Sequence, residues 1–345
     1  MDFALTETHD QIRGTARGFL AERYPSGRIA EIADSSGTDT TSWTELVRQG
    51  WFDATLGTTE LAVLAEESGR ALHPTPWWST LSFAVPTFTA AGIPLTGPAA
   101  FADGTGSCVA RQSGSRWLLE GRVEAVVDAS AATIVVIAVG TADGTALFTF
   151  DPGSAYATWS AGDDLDPLRP QADLALAGVP ARPLATGPAA RRMLTEARRR
   201  ASVLLACEAV GVAGNVLQIA TEYARQRHQF GRPIGTYQAI SHRLAECYAD
   251  LELARSLAYC AAAVLDSTAG AAQHEIDEAV ACAQHLCPAA AVRACETAIQ
   301  VHGATGVTWE FPLHRWYRRA LGTELYLARQ SDPLAVLATG LLGPI

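Results

Sequence analysis

Residues 223–235 read YARQRHQFGRPIG, and they decide how the rest of the chain is parsed. A long Ala/Leu-rich helical run delivers Arg225 and Arg227, followed by Gln229 and Phe230, and Gly231, Pro233 and Gly235 then break the helix. Two readings are open at this point. Arginine makes bidentate, charge-assisted bonds to phosphate, so a basic helix end beside a Gly/Pro turn suits an anion. Equally, Arg complements the helix dipole and Gly ends helices, which describes an ordinary C-terminal cap.

Around this turn the pattern is helical. Residues 189–227, 237–265 and 272–301 form three long Ala/Leu-rich segments with hardly any internal breaker, and a last run covers 316–342. Helices of that length rich in small residues pack as a bundle. Upstream, Thr8 with Gln11 forms a capping-box pattern ahead of Ile12, Ala16, Phe19 and Leu20. Ser42 with Glu45 opens a second helix, and residues 58–72 make a third that stops before Pro74 and Pro76. Between these helical regions, residues 117–119, 123–127, 133–139 and 146–150 are β-branched and aromatic. Ser113-Gly114, Asp143-Gly144 and Asp151-Pro152-Gly153 punctuate them as turns. The expected fold class is α+β: an N-terminal helical domain over 1–104, a small antiparallel β domain over 105–186 and a C-terminal four-helix bundle over 187–345.

Composition narrows the function classes. A net charge of −10 and a pI near 5.3 disfavour nucleic acid or an anionic membrane as partner. No apolar run is expected to reach membrane-spanning length and the N-terminus lacks a basic signal region, which predicts a cytoplasmic protein. The seven cysteines form no CxxC pair and sit in apolar surroundings, so they read as buried thiols, with no metal site expected.

The stretches YARQRHQFGRPIGTYQAISHRLAE (223–246) and IQVHGATGVTWEFPLHRWYRR (299–319), supported by the opening MDFALTETHDQIR, make the chain resemble the acyl-CoA dehydrogenase family along its whole length. More narrowly it is similar to short actinobacterial members that serve steroid side-chain or related acyl-CoA catabolism and assemble as heteromers. The resemblance implies FAD as cofactor, an acyl-CoA or other acyl-thioester as substrate, a homologous subunit as partner in a dimer or tetramer, and electron-transfer flavoprotein as a compatible electron acceptor. It also implies that Arg227 of the RxxFG motif reaches across the dimer to the FAD pyrophosphate, with Gln229 and Phe230 touching the cofactor. The QxxGGxG turn that holds the ADP part of FAD matches Gln300, Val301, Gly303, Ala304 and Gly306. Ala304 replaces the second glycine, where a Cβ would crowd the diphosphate or need a different backbone angle.

The same resemblance leaves the catalytic base unassigned. The chemistry needs a carboxylate with a raised pKa to take the α-proton. The family's commonest base position falls at Leu327 and its alternative at Ala201, and neither side chain accepts a proton. Glu324, one turn before Leu327, and Glu208, in the apolar stretch SVLLACEAVGVAG, are weak substitutes. The plainer readings are a solvated helix residue for Glu324 and a carboxylate paired with an arginine of a neighbouring helix for Glu208. Arg198, Arg199 and Arg200 form a basic run near where the resemblance places the CoA phosphates and read equally as the solvated face at a helix start; His302 and His314 read as satisfied structural residues, and Trp309, Glu310 and Pro312 as core packing. The expectation is a subunit of an FAD-dependent acyl-CoA dehydrogenase that lends an ADP clamp to a partner and lacks the usual catalytic Glu. The alternatives are a homomeric dehydrogenase with an unaligned base and a scaffold or flavin-independent relative.

Overall fold

The computed structural model describes residues 5–142, 144–162, 164–267 and 270–343. The first helices are α1 (Glu7–Arg23), α2 (Ser26–Ala33), α3 (Trp43–Arg48) and α4 (Thr58–Ala71); α5 (Trp77–Ser79) and α6 (Val85–Ala90) flank a π turn. Six strands follow: β1 (Ala99–Ser113), β2 (Arg116–Val127), β3 (Ile134–Thr141), β4 (Gly144–Phe150), β5 (Ala157–Ala161) and β6 (Gln171–Thr186). Then come α7 (Gly187–Gln226), a hairpin of β7 (His228–Gln229) and β8 (Arg232–Pro233), α8 (Gln238–Asp266), α9 (Gln273–His302), α10 (Leu313–Gln330) and α11 (Pro333–Leu342). Two compact units emerge. One combines residues 1–29 and 57–73 with 202–345; the other combines 30–56 with 74–201, so α7 contributes to both.

In the second unit the strand order is β2-β1-β3-β4-β6-β5, and β2 also pairs with β6, so the sheet curls onto itself. The sheet is mixed where a purely antiparallel one was expected, because β1 and β3 run parallel. β3 follows β2, which is antiparallel to β1, and is placed on the other edge of β1; it therefore runs in the direction of β1. The first strand starts at Ala99, ahead of the expected boundary at 104. Leu119, Ile137, Phe148 and Leu174 fill the interior.

In the first unit α7 is the core element. Its stretch from Ser202 to Ala213 is buried throughout, the burial expected of a helix apolar on every face. The whole of α7 also corrects one expectation: Gly187–Gln226 is long and apolar enough to cross a membrane by length and composition, yet 78% of the qualifying window is buried inside the fold. α4 crosses α7 at glycine contacts. A Cβ on Gly69 would stand 2.0 Å from the Glu208 carbonyl oxygen, and one on Gly211 would stand 1.8 Å from that of Glu66, so only hydrogen lets the two backbones approach.

Helix starts also differ from expectation. The capping box of α1 uses Thr6 and His9 instead of Thr8 and Gln11: the Thr6 N–H donates to His9 Nδ1 at 3.0 Å. Ser42 precedes α3 without a side-chain cap bond. α4 is capped from a distance, since Asp266 at the end of α8 accepts from the backbone N–H groups of Thr58 (2.6 Å) and Thr59 (2.7 Å). The run expected over 316–342 breaks at Ser331-Asp332-Pro333. The residue before proline avoids helical geometry, and Asp332 caps α11 through the N–H of Ala335 at 3.1 Å.

Candidate functional site: two outward-facing turns and a buried ion pair

Residues 223–235 form a built surface feature. α7 ends at Gln226, Arg227 N–H donates to the Tyr223 carbonyl at 2.8 Å, and Gln229 pairs with Arg232 across the small hairpin. The two central residues, Phe230 at φ 51° and Gly231 at φ 80°, both lie in the left-handed region that tight two-residue hairpins require. For a bulky aromatic this backbone costs energy, of order 1–3 kcal/mol. Tyr237 holds the hairpin from below: its hydroxyl donates to the Gln229 carbonyl at 3.0 Å and the Arg232 guanidinium lies 4.1 Å from its ring centroid. Despite that support Phe230 is 93% exposed, and Arg227 and Gln229 are exposed beside it.

α9 ends close to this hairpin. The His302 ring stacks on Tyr223 at a centroid distance of 4.1 Å and packs against Phe311 at 4.6 Å, which joins the ends of α7 and α9. His302 Nδ1 donates to the Ala298 carbonyl at 2.7 Å, and burial holds its pKa below the ordinary histidine value. Gln300, Gly303 and Ala304 are exposed, whereas Val301 is buried. Gly303 takes φ 61° with open space around the position of a Cβ. Ala304 keeps an ordinary negative φ, so the substitution that raised a backbone concern carries no strain.

The positions considered for a base separate. Leu327 is buried on α10, and its carbonyl accepts from Gln284 Nε2 at 3.0 Å. Glu324 is exposed and lines, with Leu327, Gln284 and His285, a surface depression of about 490 Å³. Ala201 is buried, its carbonyl accepting from Trp78 Nε1 at 3.0 Å. Glu208 is fully buried and its Oε1 accepts from Arg319 Nη1 at 2.9 Å; Arg319 is 1% exposed. The geometry thus supports a paired carboxylate at Glu208.

Other features were not legible beforehand. Glu66 and Glu67 on α4 are buried: Glu67 accepts two bonds from Arg17 (2.7 and 2.8 Å), and Glu66 accepts from Tyr259 (2.7 Å) and Arg255 (3.1 Å). A Glu-Glu pair directly after the apolar run LAVLA was the available signal. Arg198 pairs with Asp103 of β1, so the basic run is not simply a solvated face. Trp309 is 63% exposed and Glu310 exposed, which corrects their assignment to the core: both lie in the turn between α9 and α10, where Trp309 stacks on His314 at 4.5 Å. All seven cysteines are free thiols, and among the described residues no group of His, Cys, Asp or Glu is placed to hold a metal.

Helical segments, a curled sheet and a bundle of long helices define an acyl-CoA dehydrogenase fold. Residues 185–327 match the family model for the acyl-CoA dehydrogenase C-terminal domain. The acyl-CoA dehydrogenase IpdE2 of Mycobacterium tuberculosis is 30% identical over 339 residues, covering 95% of each chain. Among solved structures, the steroid ACAD variant Tcur3481-Tcur3483 is 26% identical with a TM-score of 0.82, covering 97% of this chain and 99% of that one. The ChsE4-ChsE5 complex from Mycobacterium tuberculosis superposes with a TM-score of 0.83 at 22% identity, covering all of both chains. The chain belongs to the acyl-CoA dehydrogenase family.

Proposed function

We propose that this chain is a subunit of an FAD-dependent acyl-CoA dehydrogenase that completes the cofactor site of a homologous partner, with electron-transfer flavoprotein as the compatible acceptor. The observation that carries the proposal is Phe230: an aromatic ring 93% exposed on a left-handed backbone, supported from beneath and joined through Tyr223 and His302 to the α9 turn. Such a ring gains nothing inside its own chain, so its cost is recovered against something outside it. The residues present fit the ADP half of FAD. Arg227 would pair with the pyrophosphate, Phe230 and Gln229 would lie against the cofactor, and the Gly303-Ala304 backbone leaves room for close approach. Bound FAD supplies a hydride acceptor. This chain's part is to bind and orient; no proton acceptor stands at Leu327 or Ala201, and Glu208 is committed to Arg319.

The test is to purify the full chain alone and together with a homologous acyl-CoA dehydrogenase subunit, then measure subunit mass and flavin per protomer. A mixed oligomer with flavin at half the protomer number supports the proposal. A homogeneous preparation with flavin in every protomer that oxidises acyl-CoA sinks it. The homomeric alternative draws on one observation, that Glu324 shares the depression with Leu327, and predicts that Glu324→Gln abolishes turnover.

A further inference from the structure

Pro312, which precedes α10, and Arg315 and Trp316 in its first turn line a cavity of about 420 Å³ that is distinct from both turns and from the depression beside Leu327. The walls from α1 and α2 are apolar, with Leu20, Tyr24, Pro25 and Ile29, and Trp316 closes another side by donating its indole N–H to the Arg70 carbonyl at 3.1 Å. Three arginines and one carboxylate line the space: Arg17, Arg70, Arg315 and Glu67. Arg17 is spent on Glu67 through two short bonds. Arg70 is partly used, donating to Gln218 at 2.9 Å and more weakly to Asn215 at 3.3 Å, and burial followed by repulsion from Arg17 lowers its pKa. Arg315 is different. It is only 9% exposed and its guanidinium has no hydrogen-bond or ion-pair partner among the described residues. Its guanidinium lines the cavity unused by the protein, so an anion that enters would meet a fork of donors open to pairing.

We propose that this cavity binds an amphipathic organic carboxylate, its head group paired with the Arg315 guanidinium and its apolar body packed among Leu20, Tyr24, Ile29 and Trp316. With Arg17 neutralised, the site offers one uncommitted fork of donors, which matches a single carboxylate bidentately. The apolar walls and the volume suit a body of several carbons, as in other small-molecule sites. The proposal stands independently of the flavin clamp.

Calorimetry on the full chain tests it with octanoate, octanol and inorganic phosphate as probes. Octanoate is expected to saturate one site per chain, with octanol at least about tenfold weaker because the charge-assisted pairing is lost. Arg315→Gln should weaken octanoate by about tenfold or more while Arg315→Lys retains most of the binding. Ala21→Trp, which plugs the cavity from an exposed position, should abolish it with Arg315 intact. Unchanged affinity in Arg315→Gln, equal binding of octanol, or displacement by phosphate at equal concentration each overturns the proposal. So does loss of the site when a homologous subunit is added, an outcome that would assign Arg315 to a partner's acidic residue.

Discussion

Replacing Glu208 by glutamine keeps the side-chain shape and removes the charge, which isolates what the buried pair does. Glu208 is 0% and Arg319 1% exposed, and their atoms meet at 2.9 Å, so solvent cannot take over the role of either partner. Removing one member of such a pair strands a buried charge and costs about 3–5 kcal/mol, a large share of a typical total stability of about 5–15 kcal/mol. Glu208→Gln is therefore expected to lower the thermal midpoint sharply when followed by far-UV circular dichroism at neutral pH. Arg319→Gln should cost a similar amount, and the double variant should recover about 1–3 kcal/mol of the summed loss as coupling. Replacing both by Leu and Met should restore most of the stability, because an apolar pair of similar volume needs no compensation. If Glu208→Gln unfolds within about 0.5 kcal/mol of the parent, the range of an ordinary surface substitution, the pair is not holding the core. If stability is unchanged but turnover of the assembled enzyme is lost, Glu208 is the base and the structural reading is wrong.

Gly211→Ala places a methyl 1.8 Å from the Glu66 carbonyl, so soluble folded protein should be lost or strongly reduced on expression; a normal yield would contradict the close crossing of α4 and α7. Phe230→Gly relieves a left-handed backbone at an exposed site, and should leave the isolated chain as stable or up to about 1 kcal/mol more stable while lowering flavin retention by the complex. Because the His302 pKa is held below 6.5, its contribution to stability is complete above that pH and is lost as pH falls toward the depressed value. A pH series between about 7 and 5 should show this slope in the parent and not in His302→Phe. Burial pushes the Cys287 thiol up to about 12; in native protein at pH 8 a thiol reagent should label the partly exposed Cys260 and Cys282 and spare Cys287.

Much of the architecture was legible because it rests on local pattern. The long helices around 187–301 follow from apolar periodicity without breakers, and the turn with Gly231, Pro233 and Gly235 lies just beyond the end of α7 at Gln226. The misses were those that local pattern does not encode. Thr8-Gln11 and Thr6-His9 offer similar capping chemistry two residues apart, and only the packed chain selects the second. The parallel pairing of β1 with β3 depends on which edge of β1 is free, which no window of sequence contains.

The candidate site divides in the same way. Sequence alone determined that Arg227, Phe230, Gln300 and Gly303 lie at helix ends with turn-forming neighbours, and that Leu327 and Ala201 cannot take a proton, because residue identity and local breakers settle both. Tertiary structure alone decided that Tyr223 and His302 stack and bring the two turns together, that Phe230 faces solvent, and that Glu208 has its arginine. It also decided that Arg315, one arginine among several near the start of α10, lines a cavity with no hydrogen-bond or ion-pair partner among the described residues. The reason is physical: a helix or a turn forms from neighbours in sequence, whereas burial and pairing are set by residues that folding brings together from distant positions, as with Tyr223 and His302 or Glu208 and Arg319.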